Sequence, residues 1–248
     1  MSSTPARPPL RALVRGLWER GVWWVRDYAY ALRTQIGAAL DRTPADAYAT
    51  GSGRPVVMLP GIYEDWRFLR PLAQALHARG HPVHVVTALG RNRWPVPRAA
   101  AHVARVLQER DLRDVVLVAH SKGGLVGKHL LSETGTGERV RALLAVATPF
   151  GGSRYSRLMP TRALRAFAAS DPVLRSLAGI TAVNARIVSV YAAFDPHIPE
   201  GSELAGARNV RLPTGGHFRI LAHPRVLAEF DRLAADPAPD AYPNRPLT

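Results

Sequence analysis

The sequence predicts an α/β fold, a mostly parallel sheet with helices on both faces. Short runs rich in Val, Leu and Ala alternate with longer stretches of helical spacing after a turn-rich linker at residues 41–55. Those short runs are apolar almost throughout, as strands buried on both faces must be. A length of 248 residues suits one well-buried core.

Taken in order, residues 1–9 read as a disordered start. From 10 to 40 the apolar residues recur at Leu10, Leu13, Val14, Leu17, Trp24, Val25, Tyr28, Leu32 and Ile36. That spacing is helical, and Arg11, Arg15, Arg26 and Arg33 fall mostly off the stripe. Thr43-Pro44 and Gly51-Ser52-Gly53 mark the linker. Strands are then expected at 56–59, 83–87, 115–119, 142–147, 187–191 and 210–212. Helices are expected at 65–79, 98–110, 122–133 and 225–234. Between 153 and 183 the alternation pauses for two short helices, near 162–169 and 173–178. An insertion there would sit above the carboxyl ends of the strands, where such sheets bind ligands. The organisation read from this is an N-terminal segment at 1–50, a main domain at 51–238 and a tail at 239–248.

Composition narrows the chemistry. There are no cysteines, which rules out disulfides, thiolate catalysis and Cys-built zinc sites. The net charge is +14, and only Lys122 and Lys128 are lysines, so arginine supplies nearly all of the positive charge. Such a balance favours anionic partners, or it reflects a codon-biased genome. No apolar run is long enough to span a bilayer, because Arg26, Asp27 and Arg33 interrupt the best one. Nor does the start read as a secretory signal. The expected location is the cytoplasm.

The residues that carry chemistry centre on Asp114-Val-Val-Leu-Val-Ala-His-Ser-Lys-Gly-Gly-Leu-Val-Gly127. A buried strand runs into Ser121 and a helix starts at once, so the hydroxyl projects from the top of the sheet as a nucleophile would. Small neighbours are needed where strand and helix converge, and Ala119, Gly123 and Gly124 supply them. The usual pattern is Gly-x-Ser-x-Gly; here Ala119 takes the first position. A helix-capping serine is the alternative reading.

At these residues the chain resembles the α/β-hydrolase family, especially its lipases and esterases, over roughly residues 54–234. The resemblance implies a serine hydrolase with a helical lid insertion, an extra N-terminal helix and no cofactor. Val57-Met-Leu-Pro-Gly-Ile-Tyr63 matches the turn that supplies half of the family's oxyanion hole. The backbone N–H groups of Ile62 and Lys122 would then face the developing oxyanion. The strand-loop Val188-Ser-Val-Tyr-Ala-Ala-Phe-Asp-Pro-His-Ile-Pro199 looks like the one that carries the acid, Asp195. Thr214-Gly-Gly-His-Phe218 sits where the family keeps its histidine, His217. Ser121, Asp195, His217 is the order this fold uses.

Other candidates are weaker. His120 is expected to pack away from the site, and His197 to be a surface-loop histidine. His223 precedes Pro224 and a helix start, and Glu200 and Glu203 lie farther past the strand end. His77, His81 and His84 have no accompanying carboxylate, so no metal site is expected. The Lys122 ammonium is unfavourably placed at the positive end of a helix. It points either to an anionic ligand or to simple solvation.

Ala147-Thr-Pro-Phe-Gly-Gly-Ser153 resembles a lipase segment that leads into the insertion. Leu158, Met159, Leu164, Phe167, Leu174 and Leu177 would line an acyl channel or bury the insertion on the body. Tyr63, Phe150, Leu158 and Phe167 are the expected substrate contacts. The N-terminal helix is also open to two readings. Its Trp18, Trp23, Trp24, Tyr28 and Tyr30 suit a membrane interface, which would make the chain peripheral to a membrane. Otherwise it packs across the body or pairs with a second copy.

The leading expectation is therefore an esterase or lipase acting on a small-molecule or lipid ester. An acyltransferase or thioesterase would use the same triad. A non-catalytic module binding anionic membranes or nucleic acid is the reading from a different class, with nucleic acid not an expected partner of the enzyme.

Overall fold

The computed structural model describes residues 10–235, with backbone alone for 10–14. The expected disordered start at 1–9 and the tail at 239–248 lie outside the described residues. In chain order the elements are α1 (Leu10–Leu40), β1 (Val56–Leu59), α2 (Arg70–His77), β2 (Val83–Val85), α3 (Val96–Glu109), β3 (Val115–His120) and α4 (Lys122–Ser132). There follow β4 (Val140–Val146), α5 (Arg162–Arg165), α6 (Pro172–Gly179), β5 (Ile187–Phe194), β6 (Arg208–Gly215) and α7 (Pro224–Ala235).

The six strands form one sheet in the order β2-β1-β3-β4-β5-β6, and every neighbouring pair is parallel. Successive side chains point to opposite faces, so β1 feeds two cores at once. Val57 and Leu59 pack with Val103 and Leu107 of α3 and Leu125 and Leu130 of α4. Val56 and Met58 pack with Leu72 and Leu76 of α2 and Val226 and Phe230 of α7. Every residue of β1, β3 and β4 is buried, and all but His120 and Arg141 are apolar, which makes them legible as apolar runs and hides the start of β4 at Val140 behind Arg141.

The differences from expectation have local causes. β6 starts at Arg208 and ends at Gly215, longer than 210–212, because an edge strand carries exposed Arg208, Asn209 and Arg211 that hide it from an apolar pattern. The helix expected at 65–79 begins instead as a 3-10 turn over Trp66–Leu69, capped by the Asp65 side chain, before α2. Pro71 has no N–H to continue an α-helical ladder back into that turn. In the insertion, Leu174 and Leu177 of α6 join the core beside α4, and Leu177 lines neither cavity near Ser121.

α1 lies across residues 66–69, the end of β6 and residues 219–222. Trp23 stacks against Phe194 and Arg20 lies over the same ring. No helix among the described residues is long and apolar enough to cross a membrane.

At the turn between β3 and α4, a methyl group added to Gly123 would run into the backbone carbonyl of Leu59. Gly123→Ala is therefore expected to lower stability by about 2–3 kcal/mol. Urea unfolding should show this as a lower midpoint at unchanged slope.

Candidate active site

Ser121 and Asp195 follow directly on β3 and β5, and His217 is separated from β6 by one residue, Gly216, so all three lie at the carboxyl edge of the sheet. Ser121 has φ 50° and ψ −120°, a conformation costly for a side-chain-bearing residue, of order 1–3 kcal/mol. Its N–H donates to the carbonyl of Val146 on the next strand at 2.8 Å, and its carbonyl accepts from Gly124 at 3.0 Å. Gly124 is as tightly placed as Gly123, since a methyl there would meet the Thr148 side chain. Close packing on two strands thus holds the strained turn.

Asp195 and His217 are both buried and bonded to each other, with Nδ1 of His217 2.8 Å from Oδ2 of Asp195. The other carboxylate oxygen accepts from the backbone N–H of His197 at 2.7 Å and of Ile198 at 3.1 Å. A carboxylate only accepts, so Nδ1 carries the proton and Nε2 is left with a free lone pair. Burial works against a charged His217, but the charge and hydrogen bond of Asp195 outweigh it, with help from Glu64 and Asp27. Its pKa is raised. Burial likewise opposes ionised Asp195, yet the charge and hydrogen bond of His217 and the amide of His197 hold its pKa below the usual value.

The loop of His217 is fixed by α1. Asp27, fully buried, accepts from the N–H groups of His217, Phe218 and Arg219 at 2.8, 2.9 and 2.8 Å. The two glycines before His217 make room for this. A methyl on Gly215 would strike the Trp23 ring, and one on Gly216, at φ +126°, would strike the Asp27 carboxylate. Sequence reading treated Asp27 only as a break in an apolar run. Its signal was its place with Trp23 and Tyr30 on one face of the helix.

Two expected histidine roles are overturned. His120 does not pack away from the site: Nδ1 lies 2.8–2.9 Å from the Glu64 carboxylate and Nε2 lies 3.0 Å from the carbonyl of His217. His120 thus bridges the Glu64 carboxylate and the backbone of the His217 loop. Glu64 also accepts from Gly61 N–H at 2.7 Å, tying the loop after β1 to the loop of His217. His197 is no free surface residue either. Its ring is 4.7 Å from that of His217, and Nε2 is 3.0 Å from the Tyr28 hydroxyl. Burial and the neighbouring His217 lower its pKa to about 4, so it stays neutral beside the candidate base.

Lys122 is neither solvated nor held at an anion. It is buried, and its ammonium donates to the carbonyls of Asn92, at 2.7 Å, and Trp94. Burial lowers its pKa to about 8. Asn92 in turn donates from Nδ2 to the carbonyl of Pro60 at 2.6 Å, and Tyr63 N–H donates to Arg91 at 2.8 Å. Lys122 therefore braces the loop that supports residues 60–63. The N–H groups of Ile62 and Lys122 find no acceptor among the described residues.

Ser121 and His217 line one cavity of about 690 Å³ with Ile62, Tyr63 and Phe167. Tyr63 joins its hydroxyl to that of Thr161 in the insertion at 2.7 Å. The other two expected contacts fail. Phe150 is buried in the core rather than in the cavity wall, because the chain turns inward after β4. Leu158 is 84% exposed and points off the insertion. Among the remaining acids, Glu200 is bonded to Arg154 at 2.7 Å and Glu203 is exposed. Among the described residues no three side chains converge as metal ligands.

No family model matches the chain, and no curated protein matches it in sequence. Solved structures do. A lipase of Bacillus licheniformis in its mature form superposes at a TM-score of 0.59 with 18% identity, over 79% of this chain and 94% of that one. Lipase B of Aspergillus fumigatus gives 0.63 with 16% identity, over 79% of this chain and 56% of that one. An α/β hydrolase enzyme from lagoon sediments of Mar Chica, Morocco, gives 0.54 with 16% identity, over 74% and 92%. The chain has the α/β-hydrolase fold.

Removing the Asp27 carboxylate strands three N–H groups, that of His217 buried and those of Phe218 and Arg219 partly so. Asp27→Ala is expected to lower stability by about 3 kcal/mol or more. In Asp27→Asn, loss of the negative charge should also lower the pKa of His217, read by NMR titration of its imidazole. An unchanged titration would show that Asp27 acts on the loop alone.

Proposed function

We propose that this protein is a serine hydrolase that cleaves carboxylic esters through an acyl-enzyme on Ser121. One observation carries the reading: a serine on a strained turn shares a cavity with a histidine whose far nitrogen is held by a buried carboxylate. Ser121 is the nucleophile, His217 the base and Asp195 the group that fixes and stabilises the imidazolium.

In the first half-reaction Ser121 Oγ attacks the ester carbonyl while Nε2 of His217 takes its proton. The oxyanion is met by the N–H groups of Ile62 and Lys122, which have no other acceptor among the described residues. The tetrahedral intermediate collapses, the C–O bond breaks, and the imidazolium returns its proton to the departing alcohol. Water then attacks the acyl-enzyme by the same route and releases the acid. The apolar walls from Ile62, Phe68, Met159, Leu164, Phe167 and Ile198 suit an acyl chain.

Acyl transfer is a second reading on the same residues. It is favoured by a neighbouring cavity of about 840 Å³ that shares Tyr63 and Phe167 with the first and has space for an acceptor.

An organofluorophosphonate probe is expected to label the wild type and not Ser121→Ala. That variant should lose about ten-thousandfold in kcat on p-nitrophenyl esters. Equal labelling of both proteins would remove Ser121 from the chemistry.

The pH dependence follows from the charge state of the base. Only neutral His217 accepts a proton, so activity falls as pH drops through its pKa. Because that pKa is raised, the acidic limb of kcat/KM should lie above the usual histidine value of about 6.5. Asp195→Asn should move the limb down and reduce kcat by about a thousandfold or more.

A further inference from the structure

We infer that the outer face of α1, together with the exposed rim of the insertion, docks the mouth of the Ser121 cavity onto an anionic lipid bilayer. The substrate is then an ester carried by a membrane lipid, a step that rests on the hydrolase reading; the docking itself does not.

The two faces of α1 differ in kind. Trp23, Asp27 and Tyr30 turn toward the body. On the opposite side, half a turn away at about 100° per residue, stand Trp18, Val25, Leu32 and Ile36. Trp18 is 74% exposed and Val25 62%, and Leu17, Trp24, Leu32, Ile36 and Leu40 are exposed too. From Trp18 to Leu40 this apolar strip runs about 33 Å at 1.5 Å per residue. It exceeds the scattered apolar exposure of an ordinary surface.

The strip reaches the candidate active site. Tyr28, Ala31, Leu32 and Gln35 form one side of the cavity that holds Ser121 and His217. Across the opening, the insertion contributes Tyr155 to the same cavity, and Leu158 projects beyond it. Two separate elements thus surround the opening with exposed apolar side chains, so an acyl chain leaving a bilayer there stays out of water.

Charge selects the occupant. Arg26 and Arg33 edge the strip and have no ion pair among the described residues. The insertion adds Arg157, Arg162, Arg165 and Arg175 against its one acid, Asp171, while its Arg154 is paired with Glu200. Lipid phosphates suit such a border, with aromatic rings settling at headgroup depth. A second copy suits it poorly, because each copy carries +14.

The test is vesicle sedimentation with the full chain, on pure phosphatidylcholine and on an equal mixture with phosphatidylglycerol. Wild type and Ser121→Ala should both bind the mixed vesicles. Trp18→Glu/Val25→Glu/Ile36→Glu should bind at least about tenfold more weakly, and Arg26→Glu/Arg33→Glu should weaken binding chiefly at low salt. Neither multiple variant touches the cavity, so both should hydrolyse soluble p-nitrophenyl butyrate at the wild-type rate and lose hydrolysis of vesicle-borne ester. Equal binding by wild type and the triple variant overturns the docking. So does a wild type that ignores both vesicles, or a dimer that the triple variant abolishes without vesicle binding. Loss of butyrate hydrolysis in wild type itself would instead overturn the hydrolase reading and leave the docking standing.

Discussion

The backbone of Ser121 is held at a positive φ by two strands and a helix that cannot move apart. β3 is paired on both sides, to β1 and β4, so its last residue has no freedom to relax. α4 must begin immediately, and it fits only because Gly123 lies bare against the Leu59 carbonyl and Gly124 against Thr148. The consequence is chemical. The serine hydroxyl stands above the sheet edge, and the first N–H of α4 has no acceptor among the described residues, at the positive end of the helix. Tyr63, Asn92 and Ala147, on this side of the sheet, also have positive φ, as do Asp111 and Asp114 before the other end of β3.

A second constraint ties the N-terminal helix to the site. Asp27 replaces solvent for three amides of the loop that carries His217, while Asp195 holds the imidazole ring itself. One carboxylate thus sets the backbone and the other sets the tautomer. Both charges favour the imidazolium against its burial, which makes the histidine a stronger base than it would be in water. The Glu64–His120 pair links the same loop to residues 60–63, so the two sides of the cavity are positioned by one buried polar network. Such a network stands only while each member keeps its partner, and α1 is part of it.

Asp195 and His217 were picked out by their resemblance to segments of the α/β-hydrolase family, whereas the sequence by itself determined the alternation of strands and helices, the N-terminal helix from 10 to 40, and a serine at the end of a buried strand. These follow from local rules: buried strands are written as apolar runs, helices as a period of 3.6, and tight turns as glycine. The edge strand β6 was read short because its exposed arginines follow no such rule. Only the tertiary structure decided which polar groups meet. Asp27 bonds to a residue 190 positions away, and His120 to one 97 positions away. Lys122 turned from a solvated cation into a buried brace, His197 from a loop residue into a neighbour of His217, and Phe150 and Leu158 left the cavity for core and solvent. No spacing in the chain encodes those contacts, because a hydrogen bond across the sheet depends on strand order and on which face a helix presents.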